Sequence, residues 1–144
     1  PEVQGQKVAS IGLSGGGLQT LYFAATDERV DVAVSSGYFY GIADSLLHLS
    51  DNCDCNFVPH LWEYADMCDL AALIAPRPFF VEAALQDGLN GPRGIDNVLE
   101  QLAITRRAYA LLGAEDRVGL DTFPGGHVWH GTVVWDWLAR WLRA

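Results

Sequence analysis

The sequence predicts an α/β protein, a parallel sheet of about four strands with flanking helices. Four short apolar runs, over residues 8–13, 30–35, 79–84 and 117–123, have the length and composition of buried strands. Apolar residues at helical spacing lie between or after them, and a glycine-rich turn joins the first run to the first helical pattern. Strand–helix–strand alternation makes the connections crossovers, so the strands run parallel and are buried on both faces.

The first strand, with Val8 at one end and Leu13 at the other, runs into Ser14-Gly15-Gly16-Gly17. Leu18, Leu21, Tyr22 and Ala25 then recur at helical spacing, so the glycines fill a strand-to-helix turn. The second strand is closed by Gly37. From 38 to 69 the pattern breaks into aromatics, acids, cysteines and Pro59, with a helix expected near 61–67. This stretch reads as an excursion above the sheet, a reasonable place for a substrate pocket because loops on rigid scaffolds carry function. A short helix over 69–74 is stopped by the two prolines of "APRP". After the third strand, Ile95, Val98, Leu99 and Leu102 mark one face of a long helix that continues through Ala108 and Leu112 to a cap at Gly113. The fourth strand precedes a last helix with Val134, Trp137, Leu138 and Trp141 on one face and Thr132 as its N-cap. The expected organisation is a single, partial domain over 1–144 with an insertion at about 38–69, without repeats, low-complexity segments or linkers.

A chain of 144 residues, half of them apolar, supports one core and contains no membrane-length apolar run. The formal charge of −9 and the near absence of lysine exclude a nucleic-acid or anionic-membrane surface, both of which need clustered basic residues. Arg106 and Arg107 read as a solvated helix face. No signal segment opens the sequence, and a start at Pro1 points to a removed beginning, so the compartment stays unassigned. Cys53, Cys55 and Cys68 lie in a polar middle segment with His48 and His60. Three readings stand beside one another: packed free thiols, a disulfide to Cys68, or a metal module on His48, Cys53, Cys55 and His60, whose spacing matches no common zinc pattern. No cofactor and no metal are expected.

The glycine-rich turn carries chemistry. Gly12-Leu13-Ser14-Gly15-Gly16 matches G-x-S-x-G, in which a serine is thrust outward from a strained strand-to-helix turn and side chains at the flanking glycines would collide with neighbouring backbone. The Gly15 N–H then lies at a helix start, where unpaired amides and the helix dipole favour negative charge, and forms half of an oxyanion hole. Serine needs a base and an orienting acid. Asp87 in "LQDG" follows the third strand and His127 in "FPGGHVWHG" follows the fourth, so both reach the carboxyl ends where such sheets place ligands. His130 is a rival base and Asp44 a rival acid. Glu82 falls inside the third strand, where a buried carboxylate needs partners, so it is either structural or a neighbour of the site. Trp129, Trp62, Tyr38 and Tyr40 either line a pocket or simply pack.

Taken together, "GLSGGG", "DLAALIAPRPFFVEAALQDG" and "FPGGH" resemble the nucleophile elbow, the strand leading to the acid, and the histidine loop of α/β-hydrolases. The likeness is to esterases of the dienelactone-hydrolase and acetyl-xylan-esterase type, and it covers nearly the whole chain. It implies the C-terminal half of that fold, with Ser14 as nucleophile, Asp87 as acid, His127 rather than His130 as base, and the Gly15 amide in the oxyanion hole. It also implies a small ester substrate, with acetylated sugars, lactones and small aryl esters all compatible. Members of that family carry further strands before the elbow, one followed by the loop that gives the second oxyanion N–H. Without that donor the rate falls roughly a hundredfold, on the order of 3 kcal/mol in barrier. The strand bounded by Val8 and Leu13 is left as an apolar edge, which implies self-association or pairing with a missing N-terminal half. The alternative reading is an inactive or partial hydrolase scaffold that works through such pairing.

Overall fold

The computed structural model describes residues 7–48 and 53–143. Along them run β1 (Ala9–Leu13), α1 (Gly15–Thr26), β2 (Val32–Ser36), α2 (Met67–Ala72), β3 (Phe79–Ala84), α3 (Ile95–Leu111), β4 (Val118–Phe123) and α4 (Val134–Leu142). The strands form one sheet in the order β1-β2-β3-β4, every neighbouring pair parallel. The register sets Leu13 opposite Ser36, Ser36 opposite Glu82 and Ala84 opposite Phe123. The carboxyl ends of the strands are therefore close together, and the loops that leave them meet on one rim.

Every residue of β2 and β3 is buried. On one face Leu21 and Ala24 of α1, Met67 and Leu70 of α2, and Val98, Leu102 and Tyr109 of α3 pack with Phe79 and Val81. On the other, Val134 and Leu138 of α4 cover Val32, Val34 and Phe80, and the Phe80 and Trp137 rings lie 5.1 Å apart. Each large apolar side chain buried in this way contributes about 1.5–3 kcal/mol. The sheet edges differ: Val8 and Ile11, beside and on β1, remain 49% and 38% exposed. Burial on both faces thus holds for the two inner strands, because helices cover only those completely.

Several sequence expectations shift. The helix expected near 61–67 is only a 3-10 turn, Leu61–Glu63, and the short helix expected over 69–74 runs two residues earlier, over Met67–Ala72. Asp66 sets that start: its Oδ1 accepts the Met67 N–H at 2.7 Å, while Asp69 Oδ2 accepts the Asp66 N–H at 2.8 Å, a reciprocal cap that fixes the first turn. Since α2 packs on α1 and α3, it belongs to a layer of the fold. The excursion also begins inside the core, because Tyr38, Phe39, Tyr40, Ile42 and Leu46 are buried. Tyr38 and Tyr40 pack against each other, with ring centroids 5.1 Å apart.

The apolar stripe of α3 runs through Val98, Leu102, Thr105 and Tyr109, leaving Leu99 42% exposed. Buried Asn97 and Gln101 flank it because irregular backbone nearby needs partners. Asn97 Oδ1 accepts the Gly41 N–H at 2.8 Å and its amide donates to the Asn90 carbonyl at 2.9 Å, while Gln101 Oε1 accepts the Cys68 N–H at 3.0 Å. Gly113 follows α3 at φ 63° and donates to the Ala110 carbonyl, as a glycine closing a helix does. Thr132 does not cap α4. Val133 holds that position without a side-chain bond, and the Thr132 hydroxyl sits 3.1 Å from His130 Nε2.

Arg77, between the two prolines, closes the end of α1. Its guanidinium donates to the carbonyls of Ala24, Val30 and Asp27 at 2.7, 2.7 and 3.0 Å. Charge-assisted bonds to carbonyls at a helix end are worth more than neutral ones. Arg77→Ala is expected to lower unfolding free energy by about 2 kcal/mol in urea melts.

Cys53 and Cys68 are free, the first exposed and the second buried, so Cys68 is a packed free thiol and the alternative of a disulfide to it does not hold. Burial, reinforced by Asp69 and Asp66, pushes the Cys68 thiol up to about 12, which keeps it protonated and unreactive. The side chain of Cys55 lies outside the described residues, and His60 pairs with Glu63 at 2.7 Å. Among the described residues no helix is long and apolar enough to cross a membrane.

Candidate active site

Ser14 occupies the turn between β1 and α1 with φ 57° and ψ −121°, a conformation that costs a non-glycine residue about 1–3 kcal/mol and persists only where the surroundings impose it. Its N–H donates to the Ser36 carbonyl at 2.9 Å, and its carbonyl accepts the Leu18 N–H at 2.9 Å. The turn is thereby tied both to β2 and to the helix it opens. A Cβ at Gly12 would lie 2.1 Å from the Gly16 carbonyl carbon, so strand and helix start approach as closely as glycine allows. Gly16 itself has open space around a Cβ. The expectation that both flanking glycines avoid collisions is corrected here: the second is Gly17, where a Cβ would meet the Ser36 carbonyl at 2.8 Å and Tyr38 Cβ at 2.9 Å. Gly15 begins α1, so its N–H is one of the helix's intrinsically unpaired donors.

Asp87 lies in the turn after β3. Its Oδ1 accepts the Leu89 N–H at 2.9 Å, and its Oδ2 lies 2.7 Å from His127 Nδ1. The carboxylate is almost fully buried while the imidazole is 32% exposed, so acid and base form a pair open on the histidine side. An N–H on Nδ1 facing this carboxylate leaves the lone pair on Nε2. The ring lies over Gly37, where a Cβ would come within 3.0 Å of His127 Cε1 and 3.2 Å of Leu13 Cδ1. A side chain there would press on the ring and on Leu13, and the φ of 57° also favours glycine. The histidine and the serine turn thus share one neighbour, Ser36-Gly37. Among the described residues the Ser14 hydroxyl forms no hydrogen bond to the ring; such bonds are commonly long without substrate.

The rivals have other partners. His130 stacks on Phe123 at 4.4 Å, with Nδ1 3.1 Å from Asp121 and Nε2 3.1 Å from the Thr132 hydroxyl, so both ring nitrogens are engaged. Asp44 forms an ion pair with Arg93. Glu82, fully buried, accepts from the Ser36 hydroxyl at 2.7 Å and from the main-chain N–H groups of His130 and Gly131 at 3.0 and 2.5 Å. Glu82, Asp121 and His130 are the group among the described residues whose ligand atoms all lie within 4.8 Å of one another. The bonds just given already engage those atoms. Trp62, half exposed, lines an apolar pocket of ≈ 240 Å³ with Leu46, Phe57 and Val58. Trp129 packs against the α4 cluster.

Sequence reading overlooked Ser36, Gly37 and Gln86. Gly37 was legible as a strand end, but nothing in the string announces that a distant imidazole rests on it.

No family model matches the chain. A curated relative, "Putative hydrolase YtaP" of Bacillus subtilis, is 27% identical over 146 residues, covering 98% of this chain and 48% of that protein. Among solved structures, a carbohydrate esterase family 15 glucuronoyl esterase from Caldicellulosiruptor kristjansonii matches with a TM-score of 0.74 at 19% identity, over 96% of this chain and 44% of its own. Methylesterase BT1017 matches with a TM-score of 0.71 at 23% identity, over 94% and 30%. The Pyrococcus furiosus esterase Pf2001 gives 0.68 at 15% identity, over 95% and 55%. The chain spans about half the length of the curated relative and less than half of the first of these esterases. Its four-stranded parallel sheet, with helices on both faces and the serine turn at the strand ends, has the fold of about half of these α/β-hydrolase-type esterases.

Proposed function

We propose that the chain is the catalytic part of a serine hydrolase acting on small carboxylic esters. The observation that carries this reading is the 2.7 Å bond between buried Asp87 and half-open His127, on the rim that also holds the strained Ser14 turn. The matched structures, a glucuronoyl esterase, a methylesterase and the esterase Pf2001, support it. Ser14 Oγ attacks the ester carbonyl carbon as His127 Nε2 takes the hydroxyl proton. The carbonyl oxygen, now an anion, is met by the Gly15 N–H. Collapse breaks the bond to the alkoxy oxygen, which leaves with the proton from His127, and an acyl-Ser14 remains. Water then attacks that acyl carbon, His127 takes its proton and returns one to Oγ, and a carboxylic acid departs. Asp87 holds the Nδ1 proton throughout and stabilises the imidazolium without taking the proton itself. A fluorophosphonate that adds one phosphonyl group to Ser14, seen by mass spectrometry, tests the assembly, and an unlabelled but folded protein counts against it.

The edge at β1 supports a second element of this reading. Among the described residues β1 has a neighbour on one side only, and with Ile11 on it and Val8 beside it exposed, its free side offers a template for pairing. We propose that this edge is covered by a second copy or by the N-terminal half of the fold, which would also bring a second oxyanion donor toward Ser14. Sedimentation at micromolar concentration is expected to show association, with protected β1 amides. A monomer whose β1 amides exchange freely removes this part.

A further inference from the structure

We propose that Glu82 is a positioning residue for the hydrolysis, one foot of a two-point clamp that holds the His127 loop against the strand carrying Asp87. The inference rests on the reading of His127 as the base. The loop after β4 is fastened to β3 and its turn on either side of that histidine. Before it, the Gly125 N–H donates to Gln86 Oε1 at 2.5 Å and the Gly125 carbonyl accepts the Gln86 N–H at 2.9 Å. After it, the N–H groups of His130 and Gly131 donate to the two carboxylate oxygens of Glu82 at 3.0 and 2.5 Å. Asp87 follows directly on Gln86, so acid and base are held by one short stretch of backbone.

The chemistry of Glu82 suits this work. It is 0% exposed in the middle of a parallel sheet, a position where a carboxylate needs every lone-pair direction occupied. Ser36 Oγ supplies the third donor at 2.7 Å. Ser36 also receives the Ser14 N–H on its carbonyl, so the same carboxylate reaches the serine turn through one residue. A carboxylate can accept from two neighbouring main-chain amides and a hydroxyl at once. A glutamine of the same shape cannot: its NH₂ must face either the His130 or the Gly131 N–H, and one loop amide loses its acceptor. The loop end is then free to shift, and shifts on the scale of an ångström at a reacting group lower rates steeply.

The test compares wild type, Glu82→Gln and Gln86→Ala by ester kinetics, circular dichroism and the downfield proton resonance of the His127 Nδ1–H facing Asp87. Folded Glu82→Gln is expected to lose that resonance through exchange and to lose about 10- to 100-fold in kcat, with KM within about twofold. Gln86→Ala, at an exposed side chain, is expected to move both in the same direction, by about three- to tenfold in kcat. A folded Glu82→Gln with wild-type kcat and an unchanged resonance overturns the proposal, since a purely structural carboxylate would lower only the melting temperature. Should that variant fail to fold, Gln86→Ala decides by the same two readouts. If the wild-type chain hydrolyses no ester, the resonance alone decides, because it reports the acid–base pair independently of turnover.

Discussion

Ser14→Ala is expected to bring hydrolysis of p-nitrophenyl acetate to background, a fall of roughly 10⁴-fold or more in kcat from the wild-type chain. The size follows from the covalent step. Without Oγ no acyl-enzyme forms, and His127 and Asp87 are left to promote direct attack by water on an ester held only by the surrounding surface. Because the three side chains of the proposed triad would act as a unit, Asp87→Asn should produce a loss of similar order by leaving the imidazole in the wrong tautomer, and combining both changes should add little. Ser14→Ala leaves the packing that sets stability intact: alanine at 14 removes one hydroxyl that forms no cap bond, so the variant should fold as wild type does. Residual burst-phase release of nitrophenol by folded Ser14→Ala would move the nucleophile elsewhere and sink the assignment.

Gly12→Ala is expected to prevent stable folding, at a cost of about 4 kcal/mol or more, while Gly16→Ala in the same motif should be neutral or stabilising by up to about 1 kcal/mol. The contrast is a matter of what lies next to each Cβ. At Gly12 the new atom meets main-chain carbon and oxygen of Gly16 at 2.1 Å, and neither the strand nor the helix start can give way without breaking the sheet register or the serine turn. At Gly16 nothing lies within 4 Å, and alanine favours the helix. Gly17→Ala falls between them, since its nearest neighbour is the Ser36 carbonyl at 2.8 Å. Urea midpoints for the three variants, with ester turnover of the folded protein, check the order; a Gly12→Ala protein as stable as wild type would contradict the close approach.

Of the fold, the elements with strong period or firm punctuation were legible. The four strands fell at or within two residues of the expected positions, and Gly113 closed its helix as its place in the pattern indicated. Misreadings collected where a polar side chain serves backbone that is distant in sequence. Leu99 sits at a spacing compatible with the core, but the buried places beside the α3 stripe go to Asn97 and Gln101, which satisfy the main chain at Gly41, Asn90 and Cys68. The helix expected over 69–74 starts two residues early because Asp66 and Asp69 form a reciprocal cap that periodicity does not register.

By itself the sequence determined the parallel α/β layout, the strained serine turn and the order in which serine, aspartate and histidine follow the strands. Local propensity, apolar period and glycine punctuation act over a few residues, and that suffices for those features. Only the tertiary structure decided which histidine faces a buried carboxylate, that Glu82 is bonded to Ser36 and to the loop beyond His127, and that Gly17 rather than Gly16 marks the second close approach. Those outcomes depend on strand register and on the meeting of loops tens of residues apart. A hydrogen bond selects its partner by distance and direction in space, and neither can be read along the chain.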